Sequence, residues 1–279
     1  MARADGSVRT RRSAAGFQTY LAPLLRATAL TPRMLRLTVG GGSLRGFRAG
    51  LAADERVKLF FGEPGGEPPA LPEIGPWGLR YPEGAVVPHA RSYTVRRFDT
   101  DTGELDIDFV VHGDGRAARW ALDARPGDVL GIAGPSGGHD LSPQADLHLL
   151  AGDESALPAI ATMLERLPEG ARAHAIVEVA DADEEQQLPQ GPGVSVQWVH
   201  RGPGPHAQDT PLERAVRELP WPGGLVHAWV AGEAGSVRRI RRHLREERGL
   251  GRTELTASGY WRQGMTVEQW VAVEDPNEL

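Results

Sequence analysis

No cysteine occurs among the 279 residues of this chain. Disulfides, thiolate zinc sites, cysteine-ligated iron–sulfur clusters and a cysteine nucleophile are thereby excluded. The absence fits a cytoplasmic protein. Lysine is almost missing too: Lys58 is the only one, and arginine supplies the other basic side chains. No window approaches the roughly 20 apolar residues of a membrane span. Residues Met1 to Arg12 are polar and basic without an apolar centre, so they do not read as a secretory signal, and residues 1–15 are expected to be disordered. A formal net charge of −6 argues against nucleic acid as a partner, and no membrane partner is indicated. The histidines share no ligand spacing with carboxylates, so no metal site is expected. No G-x-S-x-G turn supports a serine hydrolase.

What is present falls into two halves. The first is rich in short strand candidates, Met34–Val39, Arg56–Phe61, Arg91–Phe98, Glu104–Val111 and Asp128–Ile132, separated by turn signals such as Gly40-Gly41-Gly42 and Asp101-Thr102-Gly103. That pattern predicts an antiparallel β-barrel of six strands, with one helix over Gly115–Asp123 after Asp114 as N-cap. The Gly- and Pro-rich stretch 62–88 reads as a long loop. The second half alternates strands with helices: strands at Leu147–Ala151, Ala173–Val179, Val194–His200, His227–Ala231 and Leu255–Tyr260, and helices at Ala156–Leu167, Leu212–Leu219 and Val237–Arg248. Alternation predicts a parallel sheet covered by helices. Two domains are expected, 16–142 and 143–279.

The densest chemistry lies in Arg91-Ser92-Tyr93-Thr94. Strand alternation sends Arg91 and Tyr93 to one face. The arginine can hold a phosphate bidentately, the tyrosine offers a flat ring, and Thr94 can meet a polar ring edge. These are the parts that hold a flat, phosphorylated cofactor, and they make a flavin enzyme the leading reading. The alternative is an exposed strand of mixed side chains. His112-Gly113-Asp114-Gly115 then runs into the helix bearing Ala117, Ala118 and Trp120. Glycines allow close backbone approach, and a helix N-terminus suits a pyrophosphate. Gly134-Pro135-Ser136-Gly137-Gly138 reads as a rigid turn that either lies against a ring or links the domains.

In the second half, Gly152, Asp153, Glu154, Ser155 and Ala156 follow the first strand, and Gly232 and Glu233 follow a later one. Two such strand ends favour a nucleotide crevice; the other reading is a pair of helices capped by their own acids. Arg238 and Arg239 near a helix start, and Arg201 after a strand, compete as contacts for a 2′-phosphate. Ser258-Gly259-Tyr260-Trp261-Arg262-Gln263-Gly264 closes the last strand with two aromatics and an arginine, either as part of a site or as a plug on the sheet.

These motifs, in this order from about Tyr20 to Trp270, resemble the siderophore-interacting protein family, cytoplasmic ferric-siderophore reductases within the ferredoxin–NADP⁺ reductase superfamily. Arg91-Ser92-Tyr93-Thr94-Val95-Arg96 and Gly259-Tyr260-Trp261-Arg262-Gln263-Gly264 together carry the resemblance most specifically. It implies FAD in the barrel, NADPH or NADH in the α/β domain, and a ferric siderophore as substrate. One departure is Arg116-Ala117-Ala118, where the family often has Pro-Ala-Ser/Thr; a hydroxyl near the pyrophosphate is lost. Tyr260 or Trp261 is expected near the flavin, filling the nicotinamide place when it is empty. No catalytic acid, base or nucleophile is expected, because the flavin carries the chemistry. An anionic ferric siderophore needs a local positive patch, for which Lys58 and Arg262 are the candidates. Arginines favour NADPH as donor, the acidic run 181–185 favours NADH, and reduced ferredoxin is a further donor. Two other readings stay open: a general flavin or ferredoxin-type reductase, and a carrier that binds siderophore without redox chemistry.

Overall fold

The structure, a computed structural model, describes residues 18–50, 52–75, 78–111, 115–202, 209–266 and 269–270. The chain forms two compact units, one ending at Asp140 and the next starting at Leu141. The expected disordered start, residues 1–15, lies outside the described residues.

The first unit contains β1 (Gln18–Thr31), β2 (Met34–Gly40), β3 (Ala53–Phe61), β4 (Glu73–Gly75), β5 (Gly78–Arg80), β6 (His89–Thr94), β7 (Arg97–Asp99), β8 (Glu104–Val110), α1 (Arg116–Asp123) and β9 (Val129–His139). Seven strands pair in the order β6-β3-β9-β1-β2-β8-β7, with antiparallel pairing throughout. The sheet closes on itself at the β6–β7 link. Val95 N–H donates to the Glu55 carbonyl at 2.7 Å, and Arg96 N–H donates to the Asp106 carbonyl at 3.0 Å. One end of the sheet is thus bonded to the other, and β6 with β7 acts as a single stave of a barrel that removes its own edges. Alternating inward residues such as Leu24, Leu37, Leu59, Ile107 and Ile132 are almost fully buried and form the core.

Four features of this unit differ from the sequence expectation. The strand candidate Arg91–Phe98 is split into β6 and β7, because its middle crosses between partners. The strand β1 was not anticipated; its first part pairs with β9 and its second with β2, and residues Arg26–Ala29 are exposed, which hides the alternation. The stretch 62–88 holds a small hairpin of β4 and β5. Gly134–Gly138 is not a turn but the second half of β9. The glycines allow this: a Cβ at Gly134, where φ is +141°, would meet the Arg56 carbonyl and Val57 Cγ1 at 3.2 Å, so β3 and β9 lie close only without one.

The second unit contains β10 (Leu147–Asp153), α2 (Leu157–Glu165), β11 (Ala173–Val179), β12 (Val194–His200), α3 (Pro211–Glu218), β13 (Val226–Glu233), α4 (Ala234–Glu246) and β14 (Leu255–Trp261). The strands pair in the order β12-β11-β10-β13-β14, all parallel. β10 is buried along its whole length, as a strand covered on both faces must be. The order reverses between β10 and β13, which defines the switch point of the sheet, where ligands of such folds bind at the carboxyl ends.

Candidate functional site

In the barrel unit, β6 places Arg91, Ser92, Tyr93 and Thr94 opposite Leu59, Lys58, Val57 and Arg56 of β3. Cross-strand partners share a face, and Leu59 and Val57 are core residues. Arg91 and Tyr93 therefore point to the core side, as alternation required. The Tyr93 ring lies 4.2 Å from that of Phe109 at 32° and 6.4 Å from that of Phe61. Burial pushes its hydroxyl well above the usual phenol value, with Arg91 opposing. Arg91 donates to the Ala90 carbonyl at 2.8 Å. Ser92 and Lys58 are exposed neighbours on the outer face, and Thr94 is buried.

Helix α1 packs its Ala117, Trp120 and Ala121 into the barrel core, with the Trp120 ring 5.7 Å from Phe61. Trp120 fixes the helix rather than offering an exposed ring. The N-cap is Gly115, not Asp114, and no side chain caps the helix; its first turn holds no acid and contains Arg116. Uncapped N–H groups beside a cation suit an anion. His112 and Gly113 lie outside the described residues. Gly134 and Gly137 carry no side chain where β9 passes β3; a Cβ at Gly137 would come within 3.0 Å of the Arg56 guanidinium. An arginine, a tyrosine ring, glycine backbone and an uncapped helix start fit the phosphate and ring parts of FAD.

In the second unit, Asp153 at the end of β10 is 2% exposed and receives four donors. Ser155 N–H and Oγ donate to Oδ1 at 2.9 and 2.5 Å. Glu233 N–H and Trp261 Nε1–H donate to Oδ2 at 2.8 and 2.9 Å. Burial, then Glu154, pushes this carboxyl up to about 6, against the pull of those donors. Glu233 caps α4 by accepting from Ser236 N–H at 2.8 Å and also accepts from Gln263 N–H at 3.3 Å. Carboxylates of the chain itself thus sit at the starts of both helices that follow the switch point.

Glu154 is held by Arg201, which donates through Nη1 at 3.0 Å and also through Nη2. The same Nη1 donates to Glu178 at 3.1 Å, and Glu178 accepts from Leu212 N–H at 3.0 Å. Burial lowers the Arg201 pKa, but Glu154 and Glu178 outweigh it and hold the group above the usual guanidinium value. Arg201 is therefore engaged in a buried network that joins β10, β11, β12 and α3, and the sequence reading of it as a phosphate contact is corrected. Arg239 is likewise taken, by Glu213 at 2.8 Å through two bonds, while Arg238 is exposed on α4. Tyr260 turns toward buried Trp229, ring centroids 6.3 Å apart, and Arg262 is half-buried just past β14. Ser155 and Ala156 sit in the β10–α2 turn, where a Cβ on Gly152 would meet Ala156 Cβ at 2.5 Å.

Sequence reasoning missed three links: Glu178 as the second partner of Arg201, Arg56 behind the β9 glycines, and the bond from Asp153 to Trp261. The last joins residues 108 apart in the chain, so no local pattern marks it.

Both units match family models: residues 23–139 match the siderophore-interacting FAD-binding domain and residues 145–264 the siderophore-interacting protein domain. The ferric vibriobactin reductase of Vibrio cholerae is 36% identical over 90% of this chain and 92% of its own. An NADPH-dependent ferric-chelate reductase of Escherichia coli is 30% identical over 85% of this chain and 91% of its own. A siderophore utilization protein from T. fusca superposes with a TM-score of 0.80 at 40% identity, covering 93% of this chain and 97% of that one. The ferredoxin reductase of carbazole 1,9a-dioxygenase shares the fold alone, with a TM-score of 0.62 at 14% identity over 88% of this chain and 70% of that one. The architecture is thus that of a ferredoxin reductase-like flavoprotein. The chain belongs to the siderophore-interacting protein family.

Proposed function

We propose that the chain is a cytoplasmic ferric-siderophore reductase that draws electrons from NADPH through FAD and delivers them to Fe(III) held by a siderophore. The observation that carries this reading is the match of both units to the family, with reductases of ferric vibriobactin and ferric chelate among the relatives. Bound FAD supplies the chemistry, taking two electrons as hydride and giving them up singly, so one NADPH serves two Fe(III). The tasks of the chain are binding and charge. Arg91 and the start of α1 hold phosphate, Tyr93 backs the ring, and Thr94 and Gly134 shape its surroundings. Gly152, Asp153, Glu154, Ser155, Ala156, Gly232, Glu233 and Arg238 border the nucleotide. Lys58, exposed on β3 opposite Ser92 of β6, and Arg262 draw the anionic substrate against the net charge of −6. Fe(II) is held less tightly than Fe(III) by hard oxygen donors, so reduction releases the metal. No helix among the described residues is long and apolar enough to cross a membrane.

Anaerobic mixing tests the reading. NADPH is expected to bleach the yellow protein, and a ferric siderophore to restore the colour while a ferrous-specific chelator develops its own. A flavin that NADPH leaves oxidised but reduced ferredoxin bleaches overturns the donor. A bleached flavin that no ferric siderophore reoxidises overturns the acceptor and leaves a general reductase. Siderophore binding by a protein that takes up no FAD leaves a carrier. Lys58→Glu should raise KM for an anionic ferric siderophore about tenfold, the loss of one steering contact of roughly 1.4 kcal/mol, with NADPH bleaching nearly intact. Unchanged siderophore kinetics would remove Lys58 from the site.

A further inference from the structure

The carboxyl end of β14 contains a defect with a direction. Gly259 pairs with Gly232, but the next residue of β13, Glu233, pairs with Trp261 rather than Tyr260. Tyr260 is therefore an extra residue in a parallel ladder. Bulges of this kind re-aim the side chain that follows them and are rare between parallel strands. Here the side chain that follows is Trp261. Its indole Nε1–H donates to Asp153 Oδ2 at 2.9 Å, reaching from β14 past β13 to β10. The bond crosses the switch point, where the order of strands reverses.

The surroundings are built for this crossing. Gly232, at φ +139°, lies so close to Asp153 that a Cβ there would stand 2.5 Å from Oδ2. The same oxygen accepts from Glu233 N–H, and the other oxygen from Ser155. Rotation of the indole away would leave a carboxylate that is 2% exposed short of one donor. Glu233 caps α4, α2 has no side-chain cap, and the crevice of this unit lies at their starts. It presents an indole tied down by a buried acid.

We propose that Asp153 is a positioning residue of the electron-donor site: it fixes Trp261 as an immobile wall, and the nicotinamide nucleotide docks against that indole without displacing it. The proposal rests on the reading of the second unit as the NADPH-binding unit. It differs from the expectation that Tyr260 or Trp261 fills the nicotinamide place when that place is empty.

The FAD-loaded, full-length protein is titrated with NADP⁺ while the indole 1H–15N resonances are followed. The Trp261 signal is assigned by its loss in Trp261→Phe. The expected result is a hydrogen-bonded, exchange-protected resonance that shifts on binding yet stays protected at saturation. Movement to the position and exchange rate of a solvent-exposed indole overturns the proposal. In kinetics, Trp261→Phe keeps a ring and loses the bond, and should raise KM for NADPH about tenfold while kcat falls by a smaller factor. Asp153→Ala, which removes the acceptor, should do the same; if it fails to fold, Trp261→Phe alone decides. A KM for Trp261→Phe at or below that of the wild type also overturns the proposal. Absence of NADPH-driven bleaching in the wild type sinks the proposed donor and this inference with it. Normal bleaching with a released indole sinks this inference alone.

Discussion

Arg201 keeps 11% of its side-chain exposure while pairing with Glu154 and Glu178, which keep 19% and 1%. Removing the guanidinium leaves two carboxylates facing each other in the interior, and breaking a buried pair costs about 3–5 kcal/mol. Arg201→Ala should therefore lower the stability of the second unit by about 3 kcal/mol, read from urea unfolding of the FAD-loaded protein. A loss below 1 kcal/mol would mean that water reaches the acids. Arg91 differs in its place: it lies on the core side of β6 opposite Leu59 and donates to the carbonyl of its neighbour Ala90. Arg91→Ala should weaken FAD binding by about 1.5–3 kcal/mol, the worth of a charged hydrogen bond, measured as the dissociation constant of FAD by flavin fluorescence. Full retention of FAD affinity would take Arg91 out of the site. Sequence spacing placed Arg91 and Tyr93 on one face correctly, because period two is a property of any strand. It could not tell Arg91 from Arg201, because the partners of Arg201 lie 23 and 47 residues away.

At the scale of elements, legibility followed burial on both faces. β10, β11 and β13 are mostly apolar and buried along nearly all of their length, and such strands between helical segments mark a parallel sheet from sequence. β1 escaped because half of it is exposed and it changes partners midway. The second half of β9 escaped because its glycines, read as a turn, serve close packing against β3. The bulge before Trp261 had no sequence sign, since an extra residue is defined only by the strand it opposes. The β10–α2 turn yields a prediction of its own. A Cβ on Gly152 would stand 2.5 Å from Ala156 Cβ in that turn and 2.7 Å from the Ala231 carbonyl on β13. Gly152→Ala should cost about 1–3 kcal/mol by overpacking and should also shift the Trp261 indole resonance, because Asp153 is the next residue. A variant as stable as the wild type would show that the turn can open.

Across the molecule, acid acts unevenly, and the second unit holds the groups that respond near neutrality. His148 on β10 and His227 on β13 are register partners with rings 6.5 Å apart, and His174 stands on β11. Burial pulls all three below the usual imidazole value; His227 pulls His148 further, and Glu254 partly restores His227. An unfolded chain takes up protons on these rings from about pH 6.5 downward, while the folded unit resists. The unfolded state then binds more protons, so stability falls as pH drops through that window. Asp153 works the other way. With its carboxyl pushed up to about 6 from an ordinary 3.8, the folded state binds the extra proton between those values, and its contribution grows as pH falls from 6 toward 3.8. The histidine loss thus opens first, above the range where Asp153 offsets it. The second unit carries Trp198, Trp221, Trp229, Trp261 and Trp270 of the seven tryptophans, so tryptophan fluorescence mainly reports its melting, and released flavin reports the barrel. The tryptophan Tm should fall between pH 7.5 and 6. His148→Leu, which replaces a ring 2% exposed by an apolar side chain that cannot charge, should make that fall shallower. A Tm that is flat over this range, or a His148→Leu slope equal to the wild type's, would show that these histidines do not set the acid limit of the unit.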